Sequence, residues 1–367
     1  MTESEDGRDY PRQTAELVGH ADAERVLLDA WSSGRLPHAW LISGPRGIGK
    51  ATLAYRFARF VLANSETEPA SGGLFGAAPA PRDLTIDPGS PLFRRIAAGG
   101  HADFLSIERS VNEKTGKLRG EIPVEDARQI GSFFSLTAAE GGYRVCVVDA
   151  VDEMNRHAAN ALLKILEEPP PRSLLLIVAH APAGLLPTIR SRCRRLTLRP
   201  LDHTDVATVL AKRLPDMPTA EQGALVNLAE GSPGRALALA GSGGLEVYRE
   251  LAALFARLPE IDIEAMHGFG DRMARRENEA AYRVWADLIG WWLARLARCT
   301  AGVMEHDEIV AGEGALLRRL TAGRSLDRWA EVWEKVGRLV ERADSVNLDR
   351  KQVVINTLFA VARAARA

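Results

Sequence analysis

The sequence predicts an α/β domain built on a parallel sheet, followed by a region that is helical throughout. Three observations predict this. Between about Leu17 and Pro200, apolar runs of strand character alternate with helical patterns, as parallel sheets with crossover helices require. One strand-to-helix junction is the glycine-rich, lysine-ended loop Gly44-Pro-Arg-Gly-Ile-Gly49-Lys50. Beyond Gly244 apolar residues recur only at helical spacing. At 367 residues the chain has room for two or three domains. Lys and Arg number 47 against 48 Asp and Glu, so the net charge is -1, which excludes a surface uniformly basic toward nucleic acid but not a local basic face. Cys146, Cys193 and Cys299 are too scattered for a disulfide framework or a four-cysteine zinc site. There is no 20-residue apolar run, and Glu3, Glu5 and Asp6 stand where a signal peptide would be basic. A cytoplasmic protein with no membrane association is expected.

Residues 1–200 are expected to form the α/β domain. Asn64 to Ser90 interrupts it with a stretch rich in Ala, Gly, Pro and Ser, read as a long loop or insertion. Residues 201–244 form a short helical zone ending in Gly241-Ser-Gly-Gly244, and residues 245–367 a larger helical domain. There Trp285, Leu288, Trp292 and Leu296, and again Leu326, Trp329, Trp333 and Val336, keep helical spacing and are expected to pack between helices.

The loop from Gly44 to Lys50 follows the strand-like Ala39–Ile42 and precedes the helical pattern Leu53, Phe57 and Val61. Gly44, Gly47 and Gly49 let backbone N–H groups turn inward, the helix N-terminus adds positive potential, and Lys50 is placed to reach the β- and γ-phosphates of a nucleotide. The next residue should carry a hydroxyl for Mg²⁺, and it is Ala51. Thr52 comes one position late, roughly 100° round the helix. The apolar run Val145–Val148 ends in Asp149, where a Walker B carboxylate would hold Mg²⁺, but Ala150 follows instead of the glutamate that would polarise water. The pattern therefore implies a site for ATP or ADP with weak or absent hydrolysis and a poorly held Mg²⁺.

Asn155 to Leu166, then Glu167-Glu168-Pro169-Pro170, reads as a helix stopped by prolines, followed by the buried-strand run Leu174–Val178 and by Arg190-Ser191-Arg192-Cys193. These motifs resemble the clamp-loader branch of the AAA+ ATPases. Within that branch, His101-Ala-Asp-Phe104, Gly120–Arg128, Leu136–Gly142 and Gly231-Ser-Pro-Gly-Arg235 are similar to the stator, or delta-prime, family of bacterial DNA polymerase III loaders. The resemblance covers roughly residues 15 to 240 and implies an AAA+ P-loop domain, a small helical lid and an all-helical collar. It implies that Arg192 is an arginine finger acting in trans on a neighbour's ATP, a role suited to a planar, permanently charged fork. It implies that Arg235 is a sensor arginine, and that Leu17-Val-Gly-His20 lies near the adenine. The implied partners are the other loader subunits in a hetero-oligomeric ring and, through that ring, the sliding clamp and primed DNA. Such a subunit belongs to the polymerase complex without polymerase chemistry of its own. The four-cysteine zinc module of many relatives is missing between the loop and Asp149, so no zinc is expected. After Val178 this chain has Ala179-His180 where motor subunits carry a threonine. An active motor subunit of the same loader and a purely structural scaffold remain the alternatives.

Overall fold

The computed structural model describes residues 11–65, 81–112, 116, 118–303, 308–323, 325–346 and 348–366. The chain divides into two compact units, Met1–Asp205 and Val206–Ala367.

The first unit begins with α1 (Ala21–Ser32), β1 (Ala39–Ser43), α2 (Lys50–Asn64), α3 (Pro91–Ala97) and β2 (Phe104–Glu108). It continues with α4 (Val124–Ser135), β3 (Arg144–Asp149), α5 (Arg156–Glu167), β4 (Ser173–Ala179), α6 (Pro187–Arg192) and β5 (Arg194–Thr197). The strands form one sheet in the order β2-β3-β4-β1-β5, every pair parallel. The α/β class read from the sequence is therefore present. Its central strands are apolar without alternation because both faces are covered. Trp40, Ile42, Val145, Val147, Leu174 and Leu176 pack with Phe57 and Phe60 of α2 on one face. Their sequence neighbours Leu41, Cys146, Val148, Leu175 and Ile177 pack with Ile130 of α4 and Leu162 and Leu166 of α5 on the other.

Two buried arginines of α2 hold α1 and the segment that leads into it. Arg59 donates to the carbonyls of Arg12 and Thr14 at 2.9 and 2.7 Å, and Arg56 pairs with Glu24 at 2.7 Å. The loop expected over 64–90 lies in large part outside the described residues. Of its described part, Thr85 and Gly89 turn on the carboxylates of Asp83 and Asp87, and Ser90 caps α3 through the Phe93 N–H at 3.2 Å. Two segments singled out in the sequence meet here: buried Asp103 accepts from the N–H groups of Ala139 and Glu140, both at 2.9 Å.

The boundary between units falls within α7 (His203–Arg213), and the second unit is helical. It comprises α8 (Thr219–Ala229), α9 (Pro233–Gly241), α10 (Gly244–Ala256), α11 (Ile263–Ala274), α12 (Glu279–Thr300), α13 (Glu313–Thr321), α14 (Leu326–Val346) and α15 (Arg350–Arg366). Gly243, at φ 66°, makes the close turn between α9 and α10. On α12 the expected Trp285, Leu288, Trp292 and Leu296 are all buried. On α14 the expected stripe is half right. Trp329 and Val336 are buried, but Leu326 and Trp333 are 44% and 48% exposed. The buried line runs on to Ala343. Leu326 and Trp333 lie roughly 60–80° round the helix from the middle of that line, at its margin. No described helix is long and apolar enough to cross a membrane.

Among the described residues of the helical unit is an ion pair removed from water. Arg295 and Glu313 meet at 3.0 Å with each side chain 2% exposed. Glu313 also accepts from the Tyr248 hydroxyl, and from the Ile309 N–H at 3.1 Å. Removing one member of such a pair strands the other charge. Glu313→Ala is expected to cost about 3–5 kcal/mol, whereas Glu331→Ala on the exposed side of α14 stays within about 0.5 kcal/mol. Urea unfolding followed by tryptophan fluorescence checks both.

Candidate functional site

The parallel topology brings the C-terminal ends of β1, β3 and β4 to one edge, where a loop passing from strand to helix can present backbone N–H groups to an anion. Pairing places Ser43 beside Ala179, Asp149 beside Val178 and Glu108 beside Asp149. The loop from Gly44 to Gly49 leaves β1 there and runs into α2. Gly44, Gly47 and Gly49 have φ values of 147°, 77° and 102°, a region that side-chain-bearing residues rarely occupy. At Gly44 the steric need is absolute as well, since a Cβ would lie 2.4 Å from the Leu198 carbonyl oxygen. His20 secures the loop from outside, its Nε2 lying 2.8 Å from the Ile48 carbonyl oxygen. The segment that resemblance placed near an adenine thus adjoins the phosphate loop.

Lys50 opens α2 and is 3% exposed, its ammonium donating to the Pro45 carbonyl within its own loop. Burial pushes it down to about 8, against the upward pull of Asp149 and Asp152. Asp149 is pushed up to about 6, first by burial and then by the nearby charges of Glu108 and Glu153. The other carboxylates of this edge are engaged. Asp152 accepts from the N–H groups of His180 and Ala181 at 3.0 and 3.2 Å. Glu153 binds two arginines, Arg46 of the loop at 2.9 Å and Arg109 at 2.7 Å. Glu108 faces Arg12 at 3.9 Å. His180 is held down to about 4 by burial and by the charge of Lys50, and its Nδ1 is buried with no hydrogen-bond partner.

Of the residues read as binding from the sequence, Gly44, Gly47, Gly49, Lys50 and Asp149 come together here, with Ala51 and Thr52 in the first turn of α2. Arg235 lies in the helical unit, on α9, where it pairs with Asp287 at 2.9 Å and Glu230 at 3.5 Å. Arg192 ends α6. Its Nη2 meets Glu167, the last residue of α5, at 2.9 Å, and its Nη1 donates to the Thr188 carbonyl at 3.2 Å. Its side chain stays 36% exposed. Sequence reasoning passed over Arg46, Arg109 and Glu167. The charge of Arg46 inside a glycine loop was the available signal, whereas the Glu167–Arg192 contact joins residues 25 positions apart.

Few donors at this edge suit Mg²⁺. Position 51 has no hydroxyl, and Asp152 and Glu153 are engaged by backbone N–H groups and arginines, which leaves the Asp149 carboxylate. Among the described residues no group of three or more His, Cys, Asp or Glu is placed to hold a metal.

The family model described as DNA polymerase III, delta subunit, matches residues 19–202, the stretch containing the phosphate loop, Asp149 and Arg192. The DNA polymerase III subunit delta' of Pseudomonas aeruginosa is 37% identical over 229 residues, covering 62% of this chain and 63% of that protein. The DNA polymerase III subunit tau of Escherichia coli is 30% identical over 304 residues, covering 78% of this chain and 44% of that protein. The chain thus spans less than two thirds of the length of either relative. A DNA polymerase III gamma subunit-related protein of Thermotoga maritima superposes with a TM-score of 0.40 at 16% identity, covering 93% of this chain and 100% of that one.

The raised Asp149 has a consequence for stability. Its carboxyl is protonated more readily in the folded chain than in the unfolded one, so stability falls as pH rises from about 4 to about 6 and stays reduced above that. Asp149→Asn is expected to remove this decline and to raise stability at pH 7 by on the order of 2 kcal/mol. Urea unfolding by circular dichroism across pH 4–8 measures it; an unchanged slope would mean that another group titrates.

Proposed function

The chain belongs to the DNA polymerase III delta subunit family, and on that premise we propose that it is the stator of a bacterial clamp loader, a delta-prime-type subunit that binds a nucleotide with little or no turnover and completes the ATP site of a neighbouring subunit. Residues 1–200 serve as the nucleotide-binding domain, 201–244 as a lid and 245–367 as the collar through which a hetero-oligomeric ring assembles. Through that ring the chain acts on the sliding clamp and primed DNA.

Arg192 carries this reading. Its guanidinium has five N–H donors, of which the Glu167 and Thr188 contacts use two. The remaining donors of this partly exposed side chain can meet a γ-phosphate presented by another subunit, where a fixed positive fork stabilises charge in phosphoryl transfer. The chain's own loop supports nucleotide binding through Gly44, Gly47, Gly49 and Lys50, while Ala51 and Ala150 leave it without the groups that a motor subunit would need. Arg235 is the residue we assign to sense nucleotide from the lid. Its present partners, Asp287 and Glu230, have side chains 59% and 44% exposed, so exchanging them for a phosphate costs little.

DNA-stimulated ATP hydrolysis by the reconstituted loader tests the proposal. Arg192→Ala is expected to lower turnover at the site it completes by roughly 10³-fold or more with ring assembly intact. Glu167→Ala, which leaves the arginine present but less firmly held, gives a smaller loss. Unchanged turnover in Arg192→Ala would remove the arginine-finger role.

A further inference from the structure

We propose that the phosphate loop of this chain takes its nucleotide without a divalent metal, with Arg46 supplying the second positive charge beside Lys50. The inference rests on the nucleotide-binding reading above and deepens it.

A nucleoside di- or triphosphate brings several negative charges to a site whose strand ends already carry Glu108, Asp149, Asp152 and Glu153. A divalent ion usually offsets such charge, but its ligands are few: Ala51 has no side-chain oxygen to give, and Asp149 alone of the four carboxylates is not engaged by an arginine or by paired backbone N–H groups. The compensating charge must therefore come from the chain. Lys50 supplies one. The other cation of the loop is Arg46, close enough to Lys50, Asp149 and His180 for its charge to act on all three.

Arg46 is positioned to make the exchange. It binds Glu153 at 2.9 Å through a side chain 68% exposed, so the contact is screened and weak. Glu153 keeps Arg109 at 2.7 Å when Arg46 leaves, and no carboxylate is stranded. Arg46 can therefore turn from Glu153 to phosphate oxygens, which accept its planar donors in the same fork geometry as a carboxylate. Glu153 acts as a resting partner that keeps the cation beside the loop until an anion arrives.

Equilibrium binding of a fluorescent ADP analogue to the full chain, measured in EDTA and in millimolar Mg²⁺, tests the inference. Wild-type affinity is expected to agree within about twofold between the two conditions. Arg46→Ala is expected to weaken binding roughly tenfold in both, with Arg46→Lys recovering part of the loss. Binding that weakens tenfold or more in EDTA overturns the metal-free site, as does Arg46→Ala binding at wild-type affinity. Lys50→Ala separates the two levels of argument. If wild type binds and Lys50→Ala does not, nucleotide binding stands and only the EDTA and Arg46 results bear on the metal. If wild type binds in neither condition, the nucleotide-binding reading falls and this inference falls with it.

Discussion

A lysine ammonium kept out of water at the carboxyl edge of a parallel sheet is the constraint around which the first unit is arranged. Lys50 begins α2, the helix whose Phe57 and Phe60 fill one face of the sheet, so the backbone that carries the lysine is fixed by that packing. Desolvation of such a group must be met by nearby negative charge or by carbonyl oxygen. Here Pro45 supplies the carbonyl, while Asp149 and Asp152 supply the field. Those carboxylates, crowded by Glu108 and Glu153, call in turn for the arginines 12, 46 and 109. The charged residues of this edge thus form one compensating set whose members are drawn from β2, the loop, the end of β3 and the segment before α1.

Much of this was legible in the sequence because local chemistry determines it. The glycine spacing, the lysine and the flanking strand and helix specify the loop, and its three glycines all adopt positive φ. The central strands read clearly since burial on both faces makes them apolar without a break. The helix that runs from Arg156 to Glu167 was legible from its pattern and its stop at the prolines, while the cap by Asn155 came from the structure. What escaped was set by tertiary partners. β2 carries Ser106 and Glu108, and β5 is an edge strand rich in arginine, so neither shows the apolar run that marks a buried strand. On α14 the stripe of large residues was read as one face, although a helix of this length offers Leu326 and Trp333 to its margin. The pairing of Glu167 with Arg192 had no sequence signal beyond the two motifs that happen to contain them.

The second arginine centre obeys a different rule from the first. At the loop, cations compensate crowded carboxylates; at the end of α6, Arg192 stays partly exposed with donors to spare. Glu167 at the end of α5 restrains it without covering it. A side chain with several rotatable bonds loses entropy when it must reach an external anion, and a partner that already restricts it reduces that loss. The helix stop at Pro169 therefore has a consequence beyond secondary structure, since it ends α5 where Glu167 can face α6.

The two alanines that stand where a hydrolase would carry a hydroxyl and a glutamate are built into the packing. Ala150 is 1% exposed within the hydrophobic cluster that contains Val147, Val178 and Leu198, and Ala51 packs against the same cluster. A glutamate at position 150 would enter apolar surroundings next to Asp149, which is already driven toward protonation by burial and then by Glu108 and Glu153, so the added carboxylate would bury a further like charge. A hydroxyl at position 51 without that glutamate could bind a metal but would still leave water unpolarised. Neither change alone makes a motor, and each disturbs what surrounds it. On the function proposed above, the loop keeps its glycine backbone and its lysine for a phosphate while the charged groups around it hold one another.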